Sequence, residues 1–166
     1  MPRPRSIPDS TVLAQVRLLL AQGGEKAVAF SSVAAATGLA PASLAQRYGS
    51  VQGMIAAAAL DAVAQGLAAL SDLEQTEPDK GPQGLLKALT AQAPAAASLA
   101  VLARSPAGRE AAAGYRKAVQ AAIARRLGPK HADAAPMLFA AWIGAQLWSD
   151  AGEAGFRLKD LIKRLG

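Results

Sequence analysis

The sequence predicts an all-α fold made of two helical domains. Hydrophobic residues make up 52% of the 166 positions, which is enough to bury a substantial core. Aromatic residues account for only 4%, so the core must be built from aliphatic side chains and alanine. Abundant alanine with few Thr, Tyr and Phe residues favours helix over strand. We therefore expect no β-sheet, and the lack of cysteine excludes a disulfide framework.

The chain begins with a short segment that carries arginines. Arg3 and Arg5 alternate with prolines, and the segment has nothing apolar to bury, so we expect it to be disordered in isolation. Basic arms of this kind can lie in the minor groove of DNA. The alternative is a solvated tail without a partner.

The first helix follows this segment and should end at Gly23 and Gly24. Ser6 and Asp9 are spaced as a capping pair at its start. An apolar stripe at helical spacing should face the core. The stripe consists of Val12, Leu13, Val16, Leu19 and Leu20.

Residues 33–48 predict two short helices joined by a tight turn. Gly38 can take a positive φ and close the first helix, and Pro41 favours the first turn of the second. Leu39 and Leu44 supply apolar side chains that both helices can cover. The pattern predicts a helix-turn-helix, a corner that many helical proteins contain without contacting nucleic acid.

Polar side chains surround this corner. Ser31 and Ser32 lie near the start of the first of the two helices, where a hydroxyl can cap the helix or meet a phosphate. On the second helix, Ser43, Gln46 and Arg47 should remain free to meet a partner.

A longer pattern extends through the corner into the next helix. Its residues are Val33 and Ala34 before the turn, Gly38, Leu39 and Ala40 in the turn, Ser43, Leu44 and Ala45 in the second helix, and then Tyr48, Gly49, Ser50 and Val51. This pattern resembles that of the TetR family of transcriptional regulators. The resemblance covers roughly residues 10–60, and the rest of the chain matches only in being helical.

The resemblance implies that residues 1–52 bind a double-stranded DNA operator. It implies that residues 53–166 bind a small-molecule effector and form a homodimer, and that the protein is a repressor released by its ligand. The alternative is a degenerate member that dimerises or binds a ligand but has lost operator binding. The candidate DNA-contacting residues are Arg3, Arg5, Ser31, Ser32, Pro41, Ala42, Ser43, Gln46, Arg47 and Tyr48.

The chain departs from the family pattern where phosphate contacts are expected. Ala45 stands where the family usually has Tyr, Val51 where helix 4 usually opens with Lys, and Ala40 where the turn often has Ser. Loss of the lysine from two subunits should flatten the slope of log affinity against log salt by roughly two units. We therefore expect specific but comparatively weak operator binding.

A long fourth helix should begin at a Ser50 cap and run to about Leu73. Its apolar positions wind around the axis, which indicates burial on more than one side. The acidic, Pro- and Gly-rich residues 72–84 are predicted to form a loop. Further helices are expected over residues 85–92, 94–104, 107–127, 132–151 and 156–165.

The last two predicted helices concentrate large apolar side chains, including both tryptophans and two of the three phenylalanines. We expect them to form the homodimer interface, with Trp142 and Trp148 at its edges and close helix approach at Ala140 and Gly144. The alternative is an ordinary core helix. The resemblance favours the dimer, because family members dimerise through their last two long helices.

An effector pocket is expected among the helices that span residues 54–147, lined mainly by Ala and Leu. Arg104, Tyr115 and Gln146 are the polar candidates for fixing a ligand there. The alternative is that these three side chains lie on the surface or join pairs of helices.

Charge and motifs argue against an enzyme. The formal net charge is +6, and residues 1–52 hold five basic and two acidic residues, a balance of +3 that suits an anionic partner. The sequence has no phosphate-binding loop, nucleophile elbow or other catalytic constellation. His131, the only histidine, lacks the further ligands of a metal site. We expect no catalysis, no metal and no cofactor.

The sequence also indicates a cytoplasmic protein without a membrane segment. The start has no apolar run long enough for a signal peptide. The longest apolar run, residues 134–148, contains Pro136 and Gln146 and is too short to span a bilayer.

Overall fold

The computed structural model describes residues 7–148 and 158–165. Within these residues there is no β-strand, so the predicted all-α fold is confirmed. Short 3-10 turns at Glu25–Ala27, Thr90–Gln92 and Ala132–Ala134 separate some of the helices. The helices are α1 Asp9–Gly23, α2 Phe30–Thr37, α3 Pro41–Tyr48, α4 Val51–Thr76, α5 Pro82–Leu89, α6 Ala96–Leu102, α7 Pro106–Leu127, α8 Ala135–Leu147 and α9 Leu158–Leu165.

The first helix starts without the predicted cap. Pro8 occupies the N-cap position, and no side chain bonds to the free N–H groups there. The Asp9 carboxylate instead accepts hydrogen bonds from α3, and Ser6 lies outside the described residues. The predicted apolar stripe is confirmed, with Leu19 half-buried and the other four residues buried.

The predicted helix-turn-helix is present as α2 and α3. Gly38 has a φ of 74°, which other residues rarely adopt, and its N–H donates to the Ala34 carbonyl at 2.8 Å, closing α2. Val33 and Leu44 are fully buried between these helices and their neighbours. The corner is therefore fixed by local chemistry and packing that the sequence already contains.

Helix α4 is the central helix of the fold and holds α3 in place. Ser50 caps it as predicted, because its hydroxyl oxygen accepts from the Gly53 N–H at 3.0 Å. A Cβ on Gly53 would lie 2.4 Å from the Tyr48 carbonyl oxygen, so glycine allows the end of α3 to sit directly against α4. This contact ties the second helix of the corner to the longest helix.

By length and apolar composition α4 would suffice to cross a membrane. In this fold α4 instead contacts α1, α3, α5, α6 and α7. Residues on more than one of its sides are buried, as predicted. Its hydrophobicity is explained by this central position.

The predicted loop over residues 72–84 is too long. Helix α4 continues to Thr76 and α5 begins at Pro82, so only residues 77–81 are not helical. The last turns of α4 are stabilised by α7, because the Glu74 carboxylate accepts hydrogen bonds from both Arg125 and Arg126. One of the acidic residues that suggested a loop, Glu74, is thus the partner of two arginines far along the chain.

One cluster of buried side chains extends from Val12 in α1 to Trp142 in α8. Two ion pairs also join the N-terminal helices to the rest. Arg17 of α1 pairs with Asp61 of α4, and Arg104 pairs with Glu25 at 2.5 Å. The division at residues 52 and 53 therefore does not coincide with a break in packing, and it stays a prediction about function.

Candidate functional site

The outer surface of the helix-turn-helix is small and mostly uncharged. Pro41, Ala42 and Gln46 of α3 are exposed, as is Ser31 at the start of α2, and Ser43 is half-buried. Gln46 is the longest polar side chain in this exposed set. Arg3 and Arg5, predicted to form a basic arm, lie outside the described residues.

Ser32 has an internal role. Its Oγ accepts from the Ala29 N–H at 2.9 Å and lies 2.9 Å from the Ala27 carbonyl oxygen, to which the hydroxyl can donate. Of the two roles considered for this hydroxyl, the described contacts are those of a cap at the start of α2. Ser31 is the serine of the pair that remains exposed.

Arg47 and Tyr48 contact the start of α1, which corrects the prediction that Arg47 remains free. Nη1 of Arg47 donates to the Ile7 carbonyl at 2.9 Å and to Oδ1 of Asp9 at 3.2 Å. The Tyr48 hydroxyl donates to the same carboxylate oxygen at 3.1 Å. Partial burial and this hydrogen bond raise the pKa of Tyr48 to about 12.

This contact changes the electrostatics of the corner. Arg47 is the only charged residue of α2 and α3, and the Asp9 carboxylate beside it offsets its charge. The two residues are 38 positions apart, so helical spacing alone could not have revealed the pairing. In this conformation α2 and α3 therefore present no uncompensated charge.

A second site is an apolar cavity of about 360 Å³ bounded by α6, α7 and α8. Its volume lies in the range of small-molecule pockets, roughly 300–1,000 Å³. Two arginines stand among apolar side chains in its wall. The lining residues are Leu99, Ala103, Arg109, Ala112, Ala113, Tyr115, Arg116, Phe139 and Ile143.

Of the three predicted ligand-fixing residues, the structure brings only Tyr115 to this cavity. Arg104 is mostly exposed and pairs with Glu25, so it joins the α6–α7 junction to the N-terminal helices. The Gln146 amide donates to the Trp142 carbonyl on its own helix at 3.4 Å. Neither residue lines this cavity, so their role in ligand binding stays a prediction.

Tyr115 is buried without a polar partner. The side chain is 1% exposed, and among the described residues its hydroxyl has no hydrogen-bond partner. Its ring meets Phe139 edge-to-face at 6.5 Å, and a Cβ on Gly66 would lie 2.8 Å from its Cε2. Burial raises the pKa of Tyr115 to about 12, so the phenol is neutral at ordinary pH.

Arg109 and Arg116 are the cavity residues that sequence reasoning missed. They are seven positions apart on α7, which places them on one helical face. Nη1 of Arg109 donates to the Ala103 carbonyl at 3.1 Å. Arg116 is exposed and makes no ion pair with the described residues. The seven-residue spacing was visible in the sequence, but nothing there indicated which face met a cavity.

Helix α8 has one buried and one exposed apolar face. Trp142, predicted at the edge of a dimer interface, is 3% exposed and its Nε1–H donates to Thr90 Oγ1 at 3.1 Å. That prediction is wrong, because Trp142 anchors α8 to the protomer's own core. The exposed face contains Met137, Ala140, Gly144, Leu147 and Trp148.

A helix-turn-helix thus packs against a long central helix, and a cavity lies among the helices that follow. The particular fold is that of the TetR family, as the sequence pattern implied. A crystal structure of reduced NemR from E. coli has a TM-score of 0.65 and 17% identity, over 95% of this chain and 94% of that one. PfmR from Thermus thermophilus, a TetR family transcriptional regulator, has a TM-score of 0.59 and 16% identity, over 92% and 93%. The sequence matches no family model and no curated protein.

Proposed function

We propose that this protein is a cytoplasmic, TetR-like repressor that binds an operator through residues 1–52. Residues 53–166 would bind a small effector and form the homodimer. The observation that carries the proposal is the exposed surface of α3, which is held against α4 by the Ser50 cap and the close approach at Gly53. A surface fixed in this way can enter the major groove without first becoming ordered.

Two exposed side chains can supply the polar contacts. Gln46 carries an amide, which can form the paired hydrogen bonds that distinguish adenine in the major groove. Ser31, at the start of α2, can donate to a phosphate. Sequence preference would then come mainly from Gln46, and positioning from Ser31 and neighbouring backbone N–H groups.

The exposed face of α8 supports a homodimer. Met137, Leu147 and Trp148 are each more than half exposed, and no charged residue occurs between Ala135 and Trp148. Gly144 lies on the same face, and a Cβ there would meet nothing within 4 Å. An uncharged apolar face of this kind is self-complementary, which a two-fold interface between identical chains requires.

Effector binding could reach the DNA-binding helices through the α6–α7 junction. Ala103 and Arg109 line the cavity and are joined by a hydrogen bond. Arg104, the next residue after Ala103, pairs with Glu25 in the turn that precedes α2. A ligand that shifts this junction would therefore move an ion pair attached to the helix-turn-helix.

A second candidate function is a dimeric ligand-binding module that has lost operator binding. The pairing of Arg47 with Asp9 favours it, because the corner then presents no uncompensated cation in α2 or α3. The Ala40, Ala45 and Val51 departures point in the same direction.

Selection from a pool of random DNA duplexes at low salt tests operator binding. We expect enrichment of an inverted repeat with half-sites about one helical turn apart. Gln46→Glu should then abolish binding to the enriched site, because a carboxylate would face base edges and phosphates. Gln83→Glu on α5 is the matched control, since it makes the same charge change at another glutamine away from α3. Failure of any sequence to enrich would favour the ligand-binding module.

Sedimentation at micromolar concentration tests the dimer separately. The parent should have the mass of two chains, and Leu147→Glu should have the mass of one. Leu18→Glu is the control, because Leu18 is a similarly exposed leucine on α1. A monomeric parent, or a dimer that both substitutions leave intact, would refute the α8 interface.

A further inference from the structure

The cavity bounded by α6, α7 and α8 combines an apolar wall with uncompensated positive charge. Leu99, Phe139 and Ile143 provide half-buried aliphatic and aromatic surface. Arg109 and Arg116 lie on one face of α7, and both line this cavity. No aspartate or glutamate is among the described residues that line it. The cavity is therefore apolar with a cationic border.

Other arginine-containing cavities of the described chain are different. In the cavity where α4 ends against α7, Arg125 and Arg126 both bind Glu74, and the Arg126 hydrogen bond lowers the pKa of that carboxyl. In the groove between α1 and α6, Arg17 binds Asp61. The guanidinium groups there already have carboxylate partners from the protein itself.

Arg109 and Arg116 have no such partner among the described residues. Arg109 uses one N–H group on the Ala103 carbonyl, which leaves further donors, and Arg116 has no hydrogen bond or ion pair with the described part of the chain. A guanidinium group binds carboxylate with paired N–H donors, and the bond is stronger when apolar surface excludes water from one side. An anionic group on an otherwise apolar ligand would suit these exposed donors.

We propose that the effector of this cavity is an amphipathic organic carboxylate. Its carboxylate would bind Arg109 and Arg116, and its apolar chain or ring would lie against Leu99, Phe139 and Ile143. This inference rests on the proposed effector role of the cavity, and it excludes the lipophilic cations that a neutral or acidic cavity would accept.

Three probes whose main chains each contain ten carbon atoms compare head groups of different charge. Decanoate, decanol and decyltrimethylammonium are titrated into the full-length protein by calorimetry, each below its micelle-forming concentration and without DNA. Decanoate should bind at least about tenfold more tightly than either of the other two, as expected for a charge-assisted pair. Equal or tighter binding of the ammonium compound, or no binding of decanoate, would overturn the proposal.

Arginine variants locate the binding site. Arg109→Ala and Arg116→Ala should each weaken decanoate binding roughly tenfold and leave decanol binding unchanged, because only the carboxylate bonds to the guanidinium. Lys117→Ala is the matched control, since Lys117 is an exposed cation beside Arg116 that does not line the cavity. Decanoate binding that survives both arginine substitutions would place the anion elsewhere and refute the assignment.

The assay also separates this inference from the proposed function. If decanoate binds through the two arginines but does not release the protein from its enriched DNA site, the ligand class stands and the repressor mechanism fails. If the protein binds DNA but not decanoate, the ligand class fails and the regulator stands.

Discussion

The two tyrosines of the chain, one in each part of the molecule, have different surroundings. Tyr48 ends α3, and its hydroxyl donates to Asp9 at 3.1 Å. Tyr115 lies in α7, is 1% exposed, and has a hydroxyl without a partner among the described residues. Tyr48 therefore has a polar partner within the protein, whereas the Tyr115 hydroxyl has none in the described chain.

The arginines of the two regions also differ in whether a carboxylate offsets their charge. Arg47, on the helix expected to approach DNA, pairs with Asp9, while Arg116 in the cavity wall has no carboxylate partner in the described chain. A motif identifies where an anion should bind, but the surrounding contacts decide how much charge is available to it. In this conformation the cavity, rather than the helix-turn-helix, offers the free cations.

The largest expected effect concerns folding, where the two parts should not differ. Trp142→Ala removes a buried ring and its hydrogen bond to Thr90, so we expect a loss of about 3–5 kcal/mol in the free energy of unfolding. Because one buried cluster joins α1 to α8, the variant should still unfold in a single transition by circular dichroism in urea.

Leu60→Ala is the control for Trp142→Ala. Leu60 is 41% exposed on α4, and its truncation should cost under about 1 kcal/mol. Two separate transitions, of which Trp142→Ala shifts only one, would show that the N-terminal helices fold independently. The difference between the two parts would then extend to their stability.

The second prediction tests whether Asp9 limits DNA binding. Asp9→Asn keeps the shape of the side chain but removes its charge, so the positive charge of Arg47 is no longer offset and its remaining N–H donors can bind phosphate. Affinity for the enriched DNA should rise several-fold at low salt, and the slope of log affinity against log salt should steepen by up to about two units for two subunits. Fluorescence anisotropy across a salt series measures both quantities.

Asp72→Asn provides the matched loss of negative charge, because Asp72 is exposed on α4 away from α3. If both variants change affinity equally, net charge is responsible and the Asp9 contact has no special role. If neither changes it, Arg47 does not reach phosphate even when released.

The helix-turn-helix was predictable because its determinants are local. A left-handed Gly38 and the Ser50 cap each act within a few residues of their position in the sequence. The contact of Arg47 with Asp9 could not be predicted in the same way. It depends on how α1 crosses α3, which results from the packing of the whole N-terminal core.

The cavity and α8 were harder to predict for another physical reason. Residues 135–148 contain no charged side chain, so no polar face distinguishes the buried Trp142 from the exposed Trp148. Arg104 was predicted to fix a ligand because it is one of the few polar residues in a region rich in Ala and Leu, yet it pairs with Glu25 across the fold. Only the three-dimensional arrangement separates it from Arg109.

The third prediction uses matched substitutions of the two tyrosines. Tyr48→Phe removes a hydrogen bond to Asp9 and should lower the free energy of unfolding by up to about 1 kcal/mol. Tyr115→Phe removes a buried hydroxyl that has no hydrogen bond to lose among the described residues, so it should raise stability by about 1 kcal/mol or leave it unchanged. Thermal or urea unfolding without ligand shows whether each substitution raises or lowers the free energy of unfolding. A clear loss of stability in Tyr115→Phe would mean that its hydroxyl is already paired in the free protein.

The smallest expected effect is a pH dependence in the alkaline range. The pKa of each tyrosine is raised to about 12, by burial and the Asp9 hydrogen bond for Tyr48 and by burial alone for Tyr115. Tyrosines of the unfolded chain ionise near pH 10, with a pKa of about 10, while the native phenols stay protonated. The unfolded state thus binds fewer protons between about pH 10 and 12, so both tyrosines contribute stability that is complete below about pH 10 and lost as the pH rises to about 12.

Asp9→Asn should separate the two titrations. It removes the negative charge that helps to raise the pKa of Tyr48 and replaces the carboxylate acceptor by a weaker amide oxygen, but it leaves the burial of both rings unchanged. The phenolate absorbance of Tyr48 should therefore develop at lower pH in this variant, while the pKa of Tyr115 stays at about 12. Tyr48→Phe assigns the remaining signal to Tyr115. If Asp9→Asn shifts neither titration, the Tyr48 hydroxyl is not bonded to Asp9 in solution. The contacts of Asp9 with α3 could then no longer explain weak DNA binding.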